Sequence, residues 1–325
     1  MLNRSAALRA LIGAVISLVA LWLVLRSVDP GRTLEILRSA APGWILAVGG
    51  FIVVDVMLRG LRWQRLIAPL GRVAYRAMLG YLLIGYLANN LLPARLGELV
   101  RSHYLGDREG ISRTSTLGTV VVERVVDLSV VVAIAAAAIL VLSVRGLVAN
   151  AVLVGVAVTT LFAVVLAFGV AAHRLPGAGR VATLADRWPR IRDAASNLRG
   201  GLGVAARPRT VLETVVLSAL AWTATILAFA AAGQAVGVEM SMGQAALLGS
   251  GVALASAIPA GPASLGTFEL AAVQIATSIG VPENEAFAIA LIAHAASLVI
   301  TVPAGAIVLA RIGWRGDRSP SPAGA

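Results

Sequence analysis

The sequence contains no cysteine, and none of its 27 basic residues is a lysine. Without cysteine there is no disulfide, no thiolate metal site and no thiol nucleophile. Without lysine there is no phosphate-loop lysine and no Schiff base. Three histidines, at 103, 173 and 294, are too scattered for a zinc centre. Charge is scarce too, at 13% of residues against about 25% in soluble domains. What remains is apolar: 58% of 325 residues. That excludes a disordered chain and an ordinary soluble enzyme. A net charge of +11 would suggest nucleic acid in a soluble protein; in so apolar a chain it reads as a membrane-orientation signal, and no nucleic-acid partner is expected.

A membrane-crossing helix needs about 20 mostly apolar residues. Residues 7–25, 43–61, 117–142, 150–172, 211–236 and 286–310 qualify. The first follows Arg4 and Arg9 but lacks a small-residue cleavage site, so it is read as a retained helix. Two further apolar stretches are interrupted. Residues 77–92 end in Asn89-Asn90-Leu91-Leu92-Pro93, and residues 245–280 are broken by Ile258-Pro259-Ala260-Gly261-Pro262. Cytoplasmic loops are enriched in arginine and lysine. The cluster Arg62, Arg65, Arg72 and Arg76, the eight arginines of 174–209, and Arg311, Arg315 and Arg318 all fall on one side only if 77–92 enters and returns. The same rule makes 245–280 a hairpin from the opposite side, although two full spans preserve the parity. The expectation is an all-α integral membrane protein of about six full transmembrane helices plus two re-entrant helical hairpins. It is multi-pass in the plasma membrane, with both termini cytoplasmic.

The two breaks share a pattern, Pro93-Ala94-Arg95-Leu96-Gly97-Glu98 and Pro262-Ala263-Ser264-Leu265-Gly266-Thr267-Phe268-Glu269. Each lies between spans of opposite direction. That predicts an inverted-topology repeat, residues 43–142 and 211–312, inside a single membrane domain of residues 1–312; interrupted helices in matching positions point to a transporter's substrate site. Pro93 and Pro262 suit a first helical turn. The reading therefore aims two helix N-termini at the protein's middle, where an anion such as phosphate is stabilised. Ser264 and Thr267 add hydroxyls and Arg95 a guanidinium.

Ionisable residues inside the spans are costly and expected to pair inward. Asp55 and Arg59 stand at i and i+4 on one face of the second span; Glu123 and Asp127 do so on the third, beside Arg124. Arg95, Glu98 and Arg101 follow the first break, and Glu269 follows the second. A structural ion-pair cluster is the alternative for Glu123-Arg124-Asp127, and a satisfied core residue for His294. Between the repeats, 174–209 is a cytoplasmic linker. Its residues 184–202 have an apolar face opposite arginines, an amphipathic surface helix drawn to anionic lipid; Gly200-Gly201-Leu202-Gly203 reads as a linker. Residues 313–325 read as a disordered tail.

Taken in order, Asn89-Asn90-Leu91-Leu92-Pro93-Ala94-Arg95-Leu96-Gly97-Glu98, Glu123-Arg124-x-x-Asp127 and Gly261-Pro262-Ala263-Ser264-Leu265-Gly266-Thr267-Phe268-Glu269 resemble the flippase-like transmembrane region of lysylphosphatidylglycerol synthases. That region also occurs as the stand-alone UPF0104-type membrane protein family. The resemblance implies a helical membrane protein whose relatives move aminoacylated phospholipid between leaflets. Those synthases carry a soluble aminoacyl-transferase domain after the membrane part, and only about a dozen residues follow the last helix here. The expectation is thus a lipid translocase and not an enzyme, without cofactor or metal. Its cargo would be a phosphate-bearing, aminoacylated or glycosylated lipid. The substrate-binding candidates are Asp55, Arg59, Asn89, Asn90, Arg95, Glu98, Arg101, Glu123, Arg124, Asp127, Ser264, Thr267, Glu269 and His294. Partners are a membrane phospholipid or lipid-linked headgroup, with a second copy of the chain or a synthase or glycosyltransferase as protein partner. Two alternatives stand beside it: a non-transporting lipid-binding partner of such an enzyme, and an intramembrane hydrolase using Ser264 and His294.

Overall fold

The structure is a computed structural model that describes residues 4–92, 96–171, 189–256 and 261–316. Among them are twelve α-helices: α1 Arg4–Ser27, α2 Pro30–Ser39, α3 Pro42–Ile67, α4 Tyr75–Leu91, α5 Gly97–Glu109, α6 Arg113–Leu142, α7 Leu147–Ala171, α8 Pro189–Leu202, α9 Pro208–Ala235, α10 Met242–Ala255, α11 Thr267–Ser278 and α12 Glu283–Gly316. No strand occurs among the described residues. Five helices, α3, α6, α7, α9 and α12, are long and apolar enough to cross a membrane; α1 and α2, bent by 84° to each other, make a sixth only if taken together. The protein is an all-α, multi-pass membrane protein.

Local chemistry sets the helix ends. Pro42 and Pro208 open α3 and α9, where a missing N–H costs nothing. Asp29 accepts the amides of Gly31 and Arg32 to cap α2. Ser241 and Gln244 close a reciprocal cap on α10. Gly110, at φ +66°, ends α5 in the left-handed conformation glycine tolerates. Just beyond, Arg113 hydrogen-bonds Asp107 and holds its carboxyl below the usual carboxylate range.

The interior has a reciprocal pattern. α3 lies along α9 at the centre; α4 packs on α12 while α10 packs on α6; α3 also touches α12 while α9 touches α6. The largest apolar core joins α9, α10, α11 and α12, with Phe229, Leu247, Leu248 and Ile289 buried. A second, around Trp63, Leu66, Met78 and Leu105, sits between α3, α4 and α5.

Two sequence expectations change here. Gly200-Gly201-Leu202-Gly203 is no linker: α8 continues through Leu202 into a 3₁₀ turn, Gly203–Ala206. α8 docks on α6, where Gly201 meets Gly118 so closely that a Cβ on Gly201 would lie 2.0 Å from the Ser115 carbonyl oxygen. Ser115 donates its hydroxyl to the Asn197 carbonyl, 2.9 Å. Residues 174–188, including the first part of the expected amphipathic helix at 184–188, lie outside the described residues. The helix α12 also runs on to Gly316, so 313–316 are not part of a disordered tail; 317–325 lie outside the described residues.

Candidate functional site

A cavity of about 340 Å³ opens between the central helices, walled by α3, α4, α9 and α12 and by the second break. Its size falls within the range of small-ligand sites, about 300–1,000 Å³. Asp55 and Arg59 supply its only charges among the described lining residues; Tyr86, Asn89, Asn90, Thr225, Ser264, Ser297 and Thr301 supply neutral polar groups. Phe229 and Phe268 give it an apolar wall.

Asp55 and Arg59 pair as their i, i+4 spacing requires: Arg59 Nε donates to both carboxylate oxygens, 2.8 and 2.9 Å. Thr225 on α9 donates to Asp55 Oδ1 at 3.3 Å. Arg59 Nη1 turns inward to Asp127 Oδ2 at 3.5 Å, and its guanidinium lies over the Trp222 ring, 5.0 Å from the centroid.

Beyond this wall lies a buried charge cluster. Arg62 Nη2 donates to Glu123 Oε1 at 2.7 Å, and Arg62 Nη1 reaches both Asp127 and the Ser218 hydroxyl. Arg101 Nη2 takes the second Glu123 oxygen at 2.8 Å, its guanidinium over Trp63. Trp222 Nε1 donates to Asp127 at 3.1 Å. Glu98 meets Arg124 at 3.3 Å. Counting Arg59 and Asp55 of the wall, four arginines thus face four carboxylates, which offsets burial costs of several kcal/mol for each buried ion. Arg62 Nε, Arg101 Nη1 and Arg124 Nε remain without a hydrogen-bond acceptor among the described residues.

Arg62 was grouped with the cytoplasmic arginines on the sequence; the structure places it fully buried in this cluster. The signal was present, since Asp55, Arg59 and Arg62 follow i, i+4, i+7 on one helical face. Ser218, Trp222, Thr225, Ser297 and Thr301 were also missed, being ordinary residues in apolar spans.

The breaks differ from expectation as well. Pro262 does not open a long helix: Pro262–Ser264 is one 3₁₀ turn with Ala263 and Ser264 at φ +53° and +54°, and α11 starts at Thr267. The amide of Gly266, φ +82°, donates to Glu269 Oε2 at 2.6 Å. At the first break the amide of Gly97 donates to Asn89 Oδ1 at 2.7 Å. Side chains of the protein thus take the leading amide at each break, where an open N-terminus was expected to hold an anion. Pro93 and Arg95 lie outside the described residues.

Of the sequence candidates, Asp55, Arg59, Asn89, Asn90 and Ser264 line the cavity. Glu98, Arg101 and Arg124 line a narrow crevice that shares Tyr86 and Asn89 with it. Glu123 and Asp127 are in the buried cluster. Thr267 faces a separate apolar groove against Val15, Val19 and Leu23. Glu269 and His294 pair with each other, Oε1 to Nδ1 2.6 Å, behind Phe268, whose ring stacks on the imidazole.

Residues 10–305 match the family described as the lysylphosphatidylglycerol synthase TM region. Glycosyltransferase AglD of Haloferax volcanii is 28% identical across 90% of the chain and 53% of its own length. UPF0104 membrane proteins of Methanothermobacter thermautotrophicus and Methanocaldococcus jannaschii are 32% and 31% identical, over 35% and 36% of the chain and about a third of their own lengths. The chain spans about half the length of the first relative and a third of the other two. A relative named a glycosyltransferase along nine-tenths of the chain overturns the expectation of a non-enzyme: the family is enzyme-related. The chain belongs to the family of the lysylphosphatidylglycerol synthase transmembrane region.

Proposed function

We propose that the chain is a lipid translocase whose cavity receives a polar headgroup while the acyl chains stay in the bilayer. The observation that carries this reading is a polar cavity at the crossing of helices from both halves of the chain, walled by the Asp55–Arg59 pair and backed by the buried charge cluster. The reciprocal packing of α3–α6 and α9–α12 supports an inverted repeat over 43–142 and 211–312 within one membrane domain. Rocking one half against the other would open the cavity to each leaflet in turn, with both termini cytoplasmic.

In this account Arg59 meets a phosphate or hydroxyl oxygen of the lipid, and Asn89, Asn90 and Ser264 contact the headgroup. Arg95, assigned from the sequence alone, is a further phosphate contact where the lipid carries one. Arg62, Arg101, Glu123 and Asp127 form a rigid block that orients Arg59. Glu98 and Arg124 border the cavity's crevice. Thr267, Glu269 and His294 shape the second break. Reconstitution with fluorescent phospholipids tests the reading: wild type exchanges lipid between leaflets well above empty liposomes. Exchange equal to empty liposomes for every headgroup sinks it.

A second reading has its own support. The relative named a glycosyltransferase extends over about twice the matched region, so the chain would serve a lipid-dependent transferase as its membrane part. Loss of glycosyl transfer with no change in lipid exchange on deleting the chain favours that reading.

A further inference from the structure

If the cavity holds a lipid headgroup, as the translocase reading requires, its lining discriminates between headgroups of different charge. Among the described lining residues there is one carboxylate, Asp55, and both of its oxygens accept from Arg59 Nε, with Thr225 also on Oδ1. The nearby carboxylates are off the lining and already paired: Asp127 with Arg62 and Arg59, Glu123 with Arg62 and Arg101, Glu98 with Arg124, Glu269 with His294. An ammonium group entering here would lose its hydration without gaining a carboxylate, which is unfavourable. Neutral hydrogen-bonding groups, by contrast, are plentiful: the Asn90 amide and the Thr225, Ser297 and Thr301 hydroxyls all line the space. Amides and hydroxyls both donate and accept. The rings of Phe229 and Phe268 lie near-parallel, 18° and 6.3 Å apart, on the same wall. An aromatic wall joined to a few convergent polar groups suits a ligand with an apolar face and a hydroxylated edge.

We infer that the cavity takes an uncharged, polyhydroxylated headgroup, that of a glycosyl lipid, in preference to a cationic aminoacyl headgroup. The Asp55–Arg59 pair then serves as a neutral wall whose outer guanidinium edge meets hydroxyl oxygen.

The test is competition read by native mass spectrometry. The full chain is purified in an amine-oxide detergent, because a glycosidic detergent would compete. It then receives equal amounts of monohexosyl diacylglycerol, phosphatidylglycerol and lysyl-phosphatidylglycerol with identical acyl chains. The hexosyl lipid is expected to be retained about tenfold over the lysyl lipid, a difference near 1.4 kcal/mol, and Asn90→Leu or Phe229→Leu narrows that ratio. Methyl hexoside at the same concentration leaves the bound lipid in place; complete displacement by it would mean a free-sugar site and overturn the lipid assignment. Equal or greater retention of the lysyl lipid, or a ratio unchanged in both variants, overturns the inference. Leaflet exchange of a fluorescent hexosyl lipid is measured in parallel. Selective retention without exchange defeats translocation alone, whereas exchange without selectivity defeats only the headgroup assignment.

Discussion

Arg62 crosses from α3 to α6 and lays Nη2 2.7 Å from Glu123 Oε1, with both side chains 1% exposed. Glu123 in turn holds Arg101 on its other oxygen, so one carboxylate fixes α3 and α5 against α6. Removing one partner of a buried pair strands the other at a cost of about 3–5 kcal/mol. Glu123→Gln and Arg62→Met are therefore expected to lower the thermal-unfolding midpoint of the purified protein strongly. Arg124→Gln, at a side chain 43% exposed, is expected to lower it little. Tryptophan fluorescence against temperature checks the order.

How much of this was legible in the sequence depends on the residue. The apolar runs located each spanning helix because about 20 residues of low polarity have few soluble uses. Proline and glycine marked both interruptions. Arg62 was not legible by charge counting, since an arginine near a span's end satisfies the positive-inside pattern whether it faces water or a partner 61 positions away. The caps of Gly97 by Asn89 and Gly266 by Glu269 were missed because prolines four residues upstream offered a simpler helix start. The Gly118–Gly201 contact needs the fold itself to be seen.

Asp55→Asn removes the charge that holds Arg59 while keeping the side chain's shape. Because Arg59 keeps Asp127 as a partner and the deeper cluster keeps its Arg62 and Arg101 pairs, the fold is expected to survive while lipid exchange falls about tenfold, a change near 1.4 kcal/mol in the barrier. Exchange rates and unfolding midpoints from the same preparation separate the two effects.

Gly201→Ala puts a methyl group where the Ser115 carbonyl oxygen lies 2.0 Å from the ideal Cβ position, and backbone must move. α8 is expected to detach from α6, raising protease cleavage within residues 189–206. Gly203→Ala, whose added Cβ meets nothing within 4 Å, is expected to leave cleavage unchanged.

Ser17→Ala removes the hydroxyl that accepts the Gly261 amide at 3.0 Å, leaving that donor at the second break unpaired. The loss is expected to be about 1–3 kcal/mol, read as faster hydrogen exchange at residues 261–266 with little change at α6.

The most direct test of the central claim uses the absence of cysteine. Ser297→Cys places a single thiol on the cavity wall, and Leu46→Cys places one on the exposed outer face of α3 as a control. In sealed vesicles a membrane-impermeant maleimide is added to one side at a time. The Ser297→Cys thiol is expected to be labelled from each side, with added polar lipid slowing both reactions and leaving the control unaffected. Labelling from one side only, or from neither, contradicts the claim.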